Sequence, residues 1–396
     1  SLLMGPAHKT GGNVSVANGA TFGAVNSTGT DGAMIGSLTL GTGGATTLDF
    51  TYSMTGNPTQ AALTAGAITI NGNATIRVGG VFSVGAFPIL KYSSVSGTFA
   101  GLVAPRGVTA TLSNDAVNKT YYVVISSVGS GIVWTGNTGL TANLWGIDVT
   151  TNWLTGAELT TYQEAVPPGD AVVFTDSGSG TVLLSNTVSP LSVTISNTTV
   201  PYTIQGNGQI TAVGALRKVG SGTANVNVPA TFGGESVISN STYNIGAAHT
   251  FAGLSGNGTI GTSAGSPALT INNATATTFS GRTEGALSLT KTGNGTLTLS
   301  GTNSHSGGTR LSGGIVNLTG RIGPTGSITI GHLPTNTVVN ISGDVSGTNM
   351  YIGNVSGSAA AVYQTGGTVT LNDGEGDVLN VGNWSGSYGY YKASGG

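Results

Sequence analysis

Met350–Gly367, MYIGNVSGSAAAVYQTGG, recurs without gaps as Leu379–Gly396, LNVGNWSGSYGYYKASGG, 29 residues further on. Self-similarity at a period of this size is the mark of stacked repeats, because a short strand–turn–strand unit cannot bury its own apolar face and must lie on a copy of itself. A second pair supports stacking: Leu216-Arg-Lys-Val-Gly-Ser-Gly-Thr-Ala-Asn-Val226 aligns with Leu289-Thr-Lys-Thr-Gly-Asn-Gly-Thr-Leu-Thr-Leu299. Both copies alternate apolar with polar residues and break at glycine, which is the pattern of short strands joined by tight corners.

The rest of the chain is written in the same style. Ser37–Leu40, Ala67–Ile70, Ala74–Val78, Tyr121–Ile125, Thr181–Leu184, Ser192–Ile195, Leu297–Leu299 and Thr368–Leu371 read as strands, each fenced by Gly, Asn or Ser. Helical periodicity is almost absent. Leu154–Val166 is the best candidate, and Pro167-Pro168 limits it to a turn or two. The expected fold is therefore all-β with little or no α-helix: a right-handed parallel β-helix, or β-solenoid, rich in Gly, Thr and Asn. In such a fold Val, Leu and Ile stack inward into apolar ladders, and Thr, Ser and Asn face outward. Like charges would recur at every strand spacing, so a low charge content follows from the geometry.

The composition agrees. Charged residues make up 7% of the 396, against about 25% in ordinary domains, while 38% are hydrophobic and 68 are glycine. The mean hydropathy is +0.18. This chain has apolar surface to bury and is ordered. Twelve Lys and Arg against fourteen Asp and Glu give a net charge of −2, so no basic stripe exists to hold nucleic acid. There is no cysteine, which removes disulfides and thiolate metal sites. No apolar run is long enough for a transmembrane helix. The sequence opens on SLLMGPAHKT and stops in the middle of a repeat at SGG, so it reads as a piece of a longer chain.

Leu289–Gly314, LTKTGNGTLTLSGTNSHSGGTRLSGG, resembles the autotransporter-associated β-strand repeat of bacterial surface and exported proteins. That repeat reads roughly L-x-K-x-G-x-G-T-L-x-L-x-G-x-N-x-Y-x-G-G-T, and His305 stands here where its aromatic residue falls. Trp134–Gly156 followed by Tyr162–Leu184 resembles the Trp-rich opening and GDxVxF element of such modules, and Thr47–Phe99 resembles the end of a preceding one. The organisation implied is the end of one module over residues 1–130, a second module over 131–320, and the start of a 29-residue repeat array over 321–396. All three can belong to one continuous solenoid. The resemblance also implies a bacterial, extracellular or cell-surface location.

Chemistry is sparse. Asp31, Asp49, Asp115, Asp148, Asp170 and Asp176 stand singly, without the paired carboxylates of a glycan hydrolase. His8, His249, His305 and His332 are far apart and show no metal-ligand spacing. The Gly-x-Gly pieces lack the helix that a phosphate cradle needs. The densest acidic group, Asp373, Glu375 and Asp377, alternates carboxylates with glycines and is the one candidate for Ca²⁺, weighed against an ordinary solvated turn. Trp134, Trp145 and Trp153 are expected to pack in a core or a joint. Trp384, Tyr388, Tyr390 and Tyr391 are candidates for assembly or glycan contact. The Asn-x-Ser/Thr sequons follow from composition alone.

These readings together predict a non-enzymatic structural protein without a cofactor. It would be a stiff rod that associates with itself into a fibre, filament, sheath or coat. The alternative is an adhesin passenger that carries the same rod to glycans or other cells.

Overall fold

A computed structural model describes residues 2–9, 11–26, 32–129, 131–136, 141–164, 168–372, 374, 378–382 and 384–395, without the side chains of 53–55 and 81. The described residues contain strands, turns and no α-helix, and the strands pair mostly in parallel, stacked coil on coil. The fold is a β-solenoid. No helix is long and apolar enough to cross a membrane. The chain divides into two compact units. One comprises Ser1–Ile132 with Tyr162–Ala171 and Ser189–Leu191, and the other Val133–Thr161, Val172–Val188 and Ser192–Gly396.

In the first unit, Leu2–Met4, Thr21–Asn26, Thr46–Thr55, Ala74–Val81 and Gly101–Val103 form one parallel sheet. Val14–Val16, Ala33–Leu40, Leu63–Ile70 and Gly85–Ser96 form a second. Register keeps like on like: Phe22 lies over Leu48 and Leu48 over Ile76, while Leu38 lies over Ile68. These side chains are buried between the two sheets with Phe50, Val78 and Leu63. Among the described residues of this unit, one strand departs from parallel stacking. Thr120–Val128 pairs antiparallel with both Val108–Asp115 and Gly85–Ser96. A short turn makes this possible, because Asp115 accepts hydrogen bonds from the backbone of Val117 and Asn118 and Lys119 adopts φ 51°. Alternation in sequence marks Tyr121–Ile125 as a strand but is silent on the direction of its partner.

The second unit is a taller stack. Its longest parallel ladder runs from Val172–Thr175 through Val193–Ser196, Leu216–Val219, Ala230–Ile238, His249–Ser255, Ala268–Asn272, Ser288–Thr292, Thr309–Leu311, Ile328–Ile330 and Met350–Ile352 to Leu379–Val381. Coil length is uneven. Leu289 faces Thr309, 20 residues later, and Ile328 faces Met350, 22 later. The 29-residue step read from the sequence is the one from Met350 to Leu379. Pairing runs without a break past residue 320, where Thr309 faces Ile328 and Val316 faces Val339.

Two antiparallel elements join this stack. Val133 and Trp134 pair with Leu154 and Trp153, and Trp153–Thr155 turns back on Glu158–Thr160 around Gly156, at φ 62°. A hairpin thus occupies the described part of the segment whose sequence allowed a turn of helix. Gly156 and the threonines favour it over a helix.

Inward columns are apolar ladders. Leu297, Val316, Val339 and Val362 stack in one, all fully buried. At the corners the backbone of one coil presses on the next. Gly293 and Gly220 occupy the same place in the two aligned copies, at φ 77° and 79°, and a Cβ there would sit 2.4 and 2.3 Å from the carbonyl oxygens of Asn273 and Asn197. Only glycine meets both demands.

Candidate functional site

Buried polar groups are where chemistry hides, and the interior of the stack holds several. Lys218 and Lys291 hold equivalent places in the aligned copies and are wholly buried. They replace an aliphatic residue in an apolar column: Lys218 lies between Ile195 and Ile238, and Lys291 between Ile271 and Leu311. Each reaches its corner. Lys218 Nζ donates to the carbonyls of Val219 and Gly220 at 3.0 and 3.2 Å. Lys291 Nζ donates to those of Thr292, Gly293 and Gly313 at 2.8, 2.6 and 3.0 Å. Three acceptors match the three N–H bonds of an ammonium. Burial pushes both lysines down to about 8, and for Lys218 the Asp176 charge opposes the shift. Each lysine is a peg that satisfies corner carbonyls no strand can reach. Sequence alone gives no sign of this burial, apart from the shared L-x-K-x-G spacing.

Histidines play similar parts. His249 Nδ1 lies 3.2 Å from the Tyr243 hydroxyl, and its Nε2 3.1 Å from the Val228 carbonyl. His305 bridges Thr283 Oγ1 at 2.7 Å and Thr309 Oγ1 at 2.9 Å, one contact for each ring nitrogen. Burial holds both imidazoles down at about 4, so they are neutral at physiological pH. Trp134, Trp145 and Trp153 are fully buried around Phe174, with Trp134 and Trp153 centroids 4.9 Å apart and Trp145 and Trp153 5.4 Å. They pack as a core.

The acids act as clips. Asp176 accepts from three consecutive backbone N–H groups of the following coil, Thr198, Thr199 and Val200, at 2.9–3.1 Å. Those bonds, Val200's first, hold its carboxyl at about 2. Asp49 pairs with Arg77 across neighbouring strands, and Asp344 accepts from the Thr368 amide at 2.9 Å. The nearest approach to a carboxylate cluster is in the first unit. Glu164 accepts from the Tyr162 hydroxyl and the Ser189 amide, while Asp170 accepts from the Gln163 amide at 2.9 Å and lies 3.4 Å from Arg106. These bonds hold Tyr162–Glu164 against Ser189 and Asp170. Among the described residues no group of three or more His, Cys, Asp or Glu could hold a metal. The Ca²⁺ candidates Asp373, Glu375 and Asp377 lie outside the described residues. Of the sequon asparagines, Asn26, Asn197 and Asn273 are buried, which leaves no room for a glycan at those three positions.

The surface aromatics remain. The four candidates separate by position. Tyr388 and Tyr390 alternate outward on the strand Tyr388–Ala393, exposed by 61% and 37%. Tyr391 points the other way, in the column of Val362, and its hydroxyl donates to Gln364 Oε1. Trp384, 59% exposed, lies on the corner that precedes the strand. The structure adds a residue that sequence reading passed over. Tyr363, on the neighbouring strand Ala359–Gln364, packs its ring 5.8 Å from that of Tyr390. Its place at an exposed alternate position of a strand was the available signal.

Comparison with known proteins completes the picture. No curated protein and no solved structure matches the chain. Residues 289–318 match the family model of the passenger-associated-transport-repeat. They span Lys291 and its corner, the strands Thr296–Leu299 and Thr309–Leu311, and the strand Gly314–Leu318. The match covers 30 of the 396 residues and marks this stretch, within the stacked coils around it, as similar to a passenger-associated-transport-repeat.

Proposed function

We propose that the chain is a non-enzymatic structural segment of an exported, surface-located protein, in which the stacked coils are themselves the product. Copies associate side by side into a fibre, sheath or coat. The observation that carries this reading is the unbroken parallel ladder from Val172–Thr175 to Leu379–Val381. At roughly 4.8 Å per strand it makes a stack on the order of 50 Å within one unit. The passenger-associated repeat inside that stack supports export. Surface charge supports association: the net charge is −2 over 396 residues, so little repulsion opposes contact between flat polar faces. Among the described acids, Asp176 and Asp344 clip one coil to the next.

Negative-stain electron microscopy across a concentration series tests the reading. It is supported by ordered filaments or sheets that grow with concentration. Dispersed single particles at every concentration would sink it, and so would turnover of a polysaccharide that is lost on substituting an acidic residue.

A further inference from the structure

One outward face of the second unit combines an amide ladder with exposed tyrosine rings. It belongs to the sheet of Thr277–Phe279, Thr296–Leu299, Gly314–Leu318, Asn336–Ile341, Ala359–Gln364 and Tyr388–Ala393. Two outward columns run along it. Ile315, Val338, Ala361 and Tyr390 stack in the first. Thr298, Asn317, Asn340, Tyr363 and Lys392 stack in the second. The second column is a chain of amides: Asn340 Nδ2 donates to Asn317 Oδ1 at 2.9 Å, and Asn317 Nδ2 to Thr298 Oγ1 at 3.3 Å. Tyr363, Tyr388 and Tyr390 lie on this face with their rings on the surface. Among the described residues no protein group bonds their hydroxyls or Asn340 Oδ1.

We propose that this face binds an extended, uncharged polysaccharide. A sugar ring offers an apolar C–H face and a rim of hydroxyls. The tyrosine rings and the aliphatic column beside them match the first; the phenol hydroxyls and the amide ladder match the second. Repetition suits repetition, since the columns present like groups at strand spacing along one line, as a polymer of one sugar does. Charge points the same way. Among the described residues this face holds no carboxylate and one cation, Lys392, too little to select a polyanion. Tyr388, Tyr390 and Tyr363 are exposed by 61%, 37% and 39%, so at about 200 Å² per ring they offer on the order of 300 Å² of stacking surface. A further coil laid on Tyr388–Ala393 would lengthen this face and leave it open. The inference takes up the adhesive reading and is independent of side-by-side assembly, so the filament experiment and the one below fail separately.

The test is isothermal titration of the whole chain with cellohexaose and with chitohexaose, and with polygalacturonate as the acidic arm. The expected result is micromolar binding of a neutral oligosaccharide that is insensitive to salt. Tyr390→Ala and Tyr363→Ala should each weaken it by about tenfold or more. Tyr363→Phe, which keeps the ring, should retain most of the affinity, and Trp384→Ala, on the corner, should retain all of it. Unchanged melting curves confirm that the variants fold. The proposal is overturned if neither neutral probe binds, or if binding survives both alanine variants. It is equally overturned by salt-sensitive binding of polygalacturonate alone, lost in Lys392→Ala, or by a concentration-dependent dimer that Tyr390→Ala abolishes.

Discussion

At the scale of the residue, this protein is governed by what it does with its few charges. Lys291 is fully buried and bonded to three carbonyls. Lys291→Met keeps most of the volume and leaves those carbonyls without donors, so it should cost about 2–4 kcal/mol in urea unfolding. A loss below 0.5 kcal/mol, the level of a surface substitution, would mean that the corner does not need its peg. Titration follows from the same burial. His249 and His305 sit at about 4 in the folded chain, below the 6.5 of the free group. The stability they contribute is present above pH 6.5 and is lost as pH falls toward 4, at up to about 1.4 kcal/mol per pH unit for each. Urea midpoints measured from pH 7 to 4 should fall, and His305→Phe should flatten the slope. Lys218 and Lys291, at about 8, act in the alkaline range. Their depressed values make stability rise from pH 8 toward 10. Buried Tyr243, raised well above its usual 10, reverses the trend beyond that. None of this was legible in the sequence. A lysine in an L-x-K-x-G stretch reads as an ordinary solvated charge until the coil above and the coil below are known.

At the scale of the element, the corner glycines and the inward ladders were legible, because each follows from local pattern. Leu297 and Leu299 alternate with threonine and are buried, while Thr296 and Thr298 face outward. Leu297→Ala opens a cavity between Val316 and its neighbours and should cost 2–5 kcal/mol, read from chemical denaturation. Gly293→Ala puts a Cβ 2.4 Å from the Asn273 carbonyl at a positive φ, and a loss of roughly 1–3 kcal/mol is expected. If that variant were as stable as the parent, the tight corner would be misdrawn. What the pattern could not supply was strand direction. Val108–Asp115 and Thr120–Val128 carry the same alternation as the parallel strands, yet they pair antiparallel because a turn held by Asp115 joins them directly. The Trp153–Thr155 hairpin has the same origin. Outward tyrosines were visible as candidates, but not their division. Tyr388 and Tyr390 share a face with Tyr363, while Tyr391 belongs to the inner column.

At the scale of the whole molecule, the repeat predicted stacking, and each unit is stacked. Such an array holds itself together mainly through neighbouring coils. A ladder substitution such as Leu297→Ala should therefore loosen the coils beside it before distant ones. Hydrogen exchange reads this as lost protection around residues 277–320, with protection retained in Val193–Ser196 and Tyr202–Gly206. Uniform loss across the unit would instead indicate one indivisible cooperative core.

Register is the claim on which all of this stands. The absence of cysteine in the sequence allows clean placement of two spin labels. Thr250, Thr270, Thr290, Arg310, Thr329 and Tyr351 follow one another up a single column. Pulsed electron resonance between labels at Thr250 and Tyr351 should give a narrow distribution centred near 24 Å, five strand spacings of about 4.8 Å. A broad distribution, or one centred beyond about 40 Å, would contradict in-register parallel stacking.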